Sequence, residues 1–170
     1  VKGITDQQQS GRCWMFTSLN AIRPTAQKKY DYNKFDFSHN YNYFWDMLEK
    51  ANLYLENIIR TVDKDITDEE VVWYLKSPVG DGGVWNLFYN LGEKYGVVPK
   101  EVMPETEHSN STGQMLGVIN RRLKKAGYDI RQVYETKTAA VKKASKKSQE
   151  EIAAALKAAK MEALEDVYRV

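Results

Sequence analysis

Gln7-Gln8-Gln9-Ser10-Gly11-Arg12-Cys13-Trp14 sets the only cysteine of the chain directly after a turn-prone Ser-Gly pair and at the head of a helix-like run. A thiol in that place is suited to nucleophilic attack, because the unpaired backbone N–H groups and macrodipole of a helix start favour negative charge. Gln7, six residues upstream, carries a side-chain amide donor. A loop folding back from Gln7 to Cys13 aims that donor, with the Cys13 backbone N–H, at the oxygen of an attacked carbonyl. Acyl transfer requires such an oxyanion hole. The competing reading of the same pattern is a small cysteine packed in a core beside a tryptophan.

The wider sequence around this segment carries a resemblance. Gln7 to Trp14 resembles the active-site segment of papain-like cysteine peptidases, and the run from Ile4 to Trp14, followed by Leu19-Asn20, is similar to the bleomycin hydrolase and aminopeptidase C family. Phe37 to Lys50, Asp81-Gly82-Gly83-Val84-Trp85 and Glu93 to Lys100 follow in family order. The resemblance implies an α+β papain-like peptidase, of which this chain, mostly α-helical, covers the left lobe and part of a helical insertion. It divides the chain into an N-terminal lobe over 1–105 and a helical hairpin over 106–170. The implied activity is that of a cysteine aminopeptidase acting on peptides through a Cys13 thioester. Gln7 and the Cys13 N–H would hold the oxyanion, and Trp14, Gly82 and Gly83 would line the substrate. The family further implies a hexameric homo-oligomer with its sites facing an internal chamber.

A thiolate nucleophile also needs a base that protonates the leaving amine, usually a histidine held by an Asn or Asp. The chain has only two histidines. His39 stands just after Ser38 at the start of an aromatic helical pattern, which predicts an exposed first-turn side chain. His108 falls in a polar connector before a helix. Papain-like enzymes place the catalytic His roughly 130 to 150 residues beyond the Cys, and none follows His108. The chain opens at Val1 and closes at Val170 inside an amphipathic pattern. The expectation is therefore an N-terminal portion of the enzyme, inactive by itself, with the His and Asn in a later lobe.

Several helices must position these residues. The first is predicted from Cys13 toward Tyr30, kinked or ended at Pro24 by the loss of a ladder donor. A second runs from Ser38 as N-cap to Arg60, with Tyr41, Phe44, Trp45, Leu48, Leu55, Ile58 and Ile59 at mostly helical spacing and reading as core. Asp68 to Lys76 reads as a shorter helix. Met115, Ile119, Leu123, Ala126, Ile130 and Val133 predict a long helix with a weak point at Gly127, and Val141, Ile152, Leu156, Ala159, Ala163 and Val167 suggest another. Asp81-Gly82-Gly83 reads either as a tight turn or as a cleft edge where a substrate backbone approaches.

Composition narrows the remaining classes. One cysteine excludes an intramolecular disulfide framework and fits a reducing, cytoplasmic compartment. No apolar run reaches the length of a membrane span. No His or Cys cluster has metal-ligand spacing, so neither metal nor cofactor is implied. Residues 121–147 hold ten Lys or Arg against two acids, a local charge of +8. Such a face could bind nucleic acid or an acidic partner through a non-catalytic helical module. A solvated helical surface is the favoured reading, because Lys142-Lys143 and Lys146-Lys147 fall opposite the apolar stripe and no base-reading motif accompanies them.

Overall fold

The computed structural model describes residues 4–141 and 145–170, so Lys142 and Lys143 of the basic stretch lie outside the described residues. The elements are α1 (Cys13–Lys29), α2 (His39–Arg60), α3 (Glu69–Lys76), α4 (Trp85–Tyr95), α5 (Glu107–Asn110), α6 (Gly113–Ala139) and α7 (Lys146–Tyr168). Among the described residues no β-strand forms. Two isolated bridges occur, Gln9 with Ser111 and Phe37 with Pro99.

Side-chain caps explain where several helices start. Ser38 Oγ accepts the Tyr41 N–H at 3.0 Å ahead of α2. Asp68 accepts the Glu70 N–H at 2.9 Å ahead of α3. Thr106 and Ser109 form a reciprocal capping box at α5, and Ser145 accepts the Ser148 N–H at 3.2 Å at α7. Each satisfies a donor that a helix start leaves unpaired. α1 lacks a side-chain cap: Arg12 stands at its N-cap, and the Arg12 carbonyl accepts from the Met15 and Phe16 N–H groups at 2.9 and 3.0 Å.

The chain folds as two compact units, residues 1–47 with 80–116, and 48–79 with 117–170. The first has a core of Trp14, Met15 and Leu19 from α1, Phe37, Tyr43 and Met47 around the start of α2, and Phe88 and Leu91 from α4. The second buries Tyr54, Leu55 and Ile58 of α2, Val71 and Leu75 of α3, Leu123 and Ile130 of α6, and Leu156 of α7. These follow the helical spacing of the apolar residues, with the buried face turned away from water.

α1 runs to Lys29, matching the predicted span toward Tyr30, and carries Pro24 inside it. One expectation requires correction. His39 is buried, not exposed, because the first turn of α2 enters the core and the imidazole stacks on Phe16 with centroids 3.8 Å apart. α6 runs unbroken through Gly127, where a Cβ would lie 2.5 Å from the Tyr54 hydroxyl and 3.2 Å from Leu75. Glycine there admits the buried tyrosine. α4 and α5 add two helices to those the sequence predicts.

Gly127→Ala tests this. An exposed helical glycine would gain about 1 kcal/mol on becoming alanine, whereas overpacking a filled core costs about 1–3 kcal/mol. Tyr54 is only 3% exposed and has little room to retreat. Gly127→Ala is expected to lower the urea midpoint, and a raised midpoint would refute the steric reading.

The basic stretch is partly committed to internal contacts. Arg131 is buried, donating to the Thr61 carbonyl at 2.9 Å and to the Lys64 carbonyl. Arg122 pairs with Asp166 at 2.6 Å and Lys125 with Asp129 at 2.5 Å. No helix among the described residues is long and apolar enough to cross a membrane.

Candidate active site

Cys13 is the first residue of α1 and is exposed. The loop ahead of it is tightly self-bonded. Gln7 Nε2 donates to the Ser10 carbonyl at 2.6 Å, and Ser10 Oγ donates back to the Gln7 carbonyl at 2.6 Å. Gln8 takes a left-handed φ of 54° inside this turn, its N–H donated to Asp6 Oδ1 at 2.8 Å. Such a conformation is costly for a residue with a Cβ and persists only where neighbours fix it. Gln9 is held from outside the turn, its N–H donating to the Asn110 carbonyl at 2.9 Å and its carbonyl accepting the Thr112 N–H at 3.3 Å. A primary amide carries two N–H donors, so the Ser10 bond leaves Gln7 a second one.

Arg12 anchors the next step. Its side chain is fully buried; Nε donates to Ser10 Oγ at 3.0 Å, one Nη donates to Glu105 Oε1 at 3.2 Å, and the other lies 2.9 Å from Glu105 Oε2. The guanidinium also stands 5.1 Å from the ring centroids of Phe16 and Tyr43. A planar fork on a carboxylate with flanking aromatic faces suits arginine specifically. Ser109 Oγ donates to the same carboxylate.

The glycine pair and Trp14 come together through Asp81. Trp14 is buried, and its indole N–H donates to the Asp81 carbonyl at 2.9 Å. A Cβ on Gly83 would lie 2.5 Å from the indole, so a side chain at 83 is excluded by the ring beneath it. Gly82 is different: a Cβ there would meet nothing within 4 Å. The Asp81 carboxylate accepts the Gly11 N–H at 2.6 Å and the Thr112 hydroxyl at 2.7 Å. The sequence by itself does not mark Asp81, Arg12, Glu105 and Thr112 as site-building residues; Asp81 stands beside the glycines, but its partners Gly11 and Thr112 lie far from it along the chain.

The two histidines differ in burial. His108 is exposed in the short α5. His39 is 5% exposed, and its Nε2 finds no hydrogen-bond partner among the described residues. Burial pushes it from its ordinary 6.5 to about 4; Arg12 and Lys100 act in the same direction, while Glu105 and Asp36 oppose. Between those values the unfolded chain binds the proton more readily than the folded one, so stability falls as pH drops from 6.5 toward 4. The expected loss between pH 7 and 5 is about 2 kcal/mol. It should show in urea midpoints and be largely absent in His39→Phe, which keeps a ring against Phe16. An equal loss in that variant would sink the assignment.

A thiol at the head of a helix, a bonded glutamine turn before it and a glycine segment over its neighbouring tryptophan mark out one kind of protein. The chain belongs to the Peptidase C1-like family, whose model matches residues 1–168. It is 41% identical to aminopeptidase C of Lactobacillus helveticus over 97% of this chain and 34% of that protein. It is 34% identical to bleomycin hydrolase of Gallus gallus over 99% of this chain and 35% of that protein. The crystal structure of pepw from Lactobacillus rhamnosis hn001 superposes with a TM-score of 0.84 at 38% identity, over 98% of this chain and 34% of that one. The chain thus spans about a third of the length of the relatives it matches.

Proposed function

We propose that these residues form the nucleophile-bearing part of a cysteine aminopeptidase with a papain-like α+β fold, of which this chain is the helical portion. Residues 1–105 serve as the peptidase lobe and 106–170 as the start of a helical insertion. Cys13 Sγ attacks the carbonyl carbon of the scissile amide, forming a tetrahedral intermediate. Its oxyanion takes the second Gln7 Nε2–H and the Cys13 backbone N–H. Collapse gives a Cys13 thioester and a free amine, and water then hydrolyses the thioester, returning the thiol. We assign the base that moves these protons to a segment outside these 170 residues: His39 is buried and weakly basic, and the chain spans only about a third of its relatives' length.

The observation that carries this reading is the exposed Cys13 at the start of α1, behind a turn in which Gln7 keeps an amide donor. Family membership and relatives called aminopeptidases support it. Gly82 suits the approach of an extended substrate, being open where a side chain would stand, and Trp14 supports Gly83 from beneath. Peptide substrates, a homo-oligomeric state up to a hexamer, and a cytoplasmic setting that keeps the thiol reduced belong to the same proposal. The deciding assay is aminoacyl-amide hydrolysis by the full-length gene product and by the 170-residue chain. Activity in the first and none in the second supports the reading.

A further inference from the structure

We propose that Asp81 is the positioning residue of the Cys13 nucleophile, holding the chain on both sides of it at once, by a backbone amide before it and a side-chain indole after it. This rests on the role given to Cys13 above. Two residues before the cysteine, the Gly11 N–H is held at 2.6 Å by Asp81 Oδ2; one residue after it, the Trp14 indole is held at 2.9 Å by the Asp81 carbonyl. The same Oδ2 takes the Thr112 hydroxyl at 2.7 Å. Thr112 is buried and bonds through its N–H to the Gln9 carbonyl, so the carboxylate joins the glutamine turn, the helix start and the glycine segment.

The fit is reciprocal. A Cβ on Gly11 would lie 2.4 Å from Asp81 Oδ1 and 2.9 Å from Cγ, so the carboxylate reaches this amide only because residue 11 is glycine. α1 has no side-chain cap of its own, and the Asp81 carboxylate accepts a donor just ahead of the helix, where negative charge is favoured. A charged acceptor makes shorter and stronger hydrogen bonds than a neutral one. Near-attack geometry is sensitive to small displacements, and a nucleophile on a loosened helix start loses rate more than affinity.

The test compares Asp81→Ala with Asp81→Asn, which keeps an oxygen acceptor without the charge. In the 170-residue chain, Gly11 amide exchange is expected to quicken at least about tenfold in Asp81→Ala, and Trp14 indole exchange at least about threefold. Both should return to within about twofold in Asp81→Asn. The indole is decisive, because its acceptor is a backbone carbonyl that the alanine variant retains; unchanged indole exchange would overturn the proposal. In the full-length product, kcat should drop about tenfold in Asp81→Ala with KM within about twofold, and Asp81→Asn should restore it. An unchanged kcat also overturns the proposal. If Asp81→Ala does not fold, Thr112→Val supplies the exchange test, removing one of the two donors on Oδ2; faster Gly11 exchange supports the proposal and unchanged exchange refutes it. Activity that survives Cys13→Ala would instead defeat the peptidase reading, leaving the exchange results to decide whether Asp81 fixes this segment.

Discussion

Cys13→Ala in the full-length gene product is expected to remove aminoacyl-amide hydrolysis by at least about three orders of magnitude. The thiol is the only one among 170 residues, so no second cysteine in this part of the chain can take its place. Its exposure at the first position of α1 leaves it open to a substrate, and the turn before it is closed by two hydrogen bonds of 2.6 Å between Gln7 and Ser10. Gln7→Ala separates the two roles. It removes the amide donor and one bond of the turn while keeping the nucleophile, so a loss of about 10²–10³ in kcat is expected, as for other single oxyanion donors. Stoichiometric alkylation of Cys13 by iodoacetamide, abolishing turnover, checks the assignment without a mutation. Retained hydrolysis after complete alkylation would refute it.

Glu105→Ala is expected to have the largest effect on stability. Arg12 is fully buried, and Glu105, some 93 residues away in sequence, is its carboxylate partner. Removing one member of such a pair leaves an uncompensated buried charge, at a cost of about 3–5 kcal/mol. For a chain of this size the melting temperature should fall on the order of 10 °C. The Phe16 and Tyr43 faces stay beside the guanidinium, but they are far weaker partners than a carboxylate. The double variant Arg12→Met with Glu105→Leu should recover much of the loss, since well-packed apolar replacements of buried ion pairs are often neutral or better. Recovery would assign the cost to the stranded charge. Failure to recover would mean that Arg12 is needed for its Nε bond to Ser10 at the head of the cysteine turn.

Much of the helical architecture is legible in the residues alone. The apolar spacing of α2 and α6 and the cap Ser38 are local signals, read over three or four positions, and they place those two helices correctly. Cys13 at a helix start behind a Ser-Gly turn is equally local, and so is the resemblance that pointed to the family. Tertiary contact overrides a local rule at one point. Ser38-His39 reads as a cap followed by a polar first turn, yet Phe16 from another helix covers the imidazole. Gly127 inside α6 reads as a weak point by its residue type, and only the fold sets Tyr54 against it.

By itself the sequence determined five of the seven helical segments, which residue is the nucleophile candidate and which family the chain resembles, because periodicity, capping and motif spacing are properties of neighbouring residues. Only the tertiary structure decided which distant residues meet the segment around Cys13. The Gly11–Asp81, Trp14–Asp81 and Arg12–Glu105 contacts join residues 70, 67 and 93 positions apart. No local spacing encodes such pairings: they depend on how folded segments bring distant donors to one carboxylate, and on where a missing Cβ lets them approach.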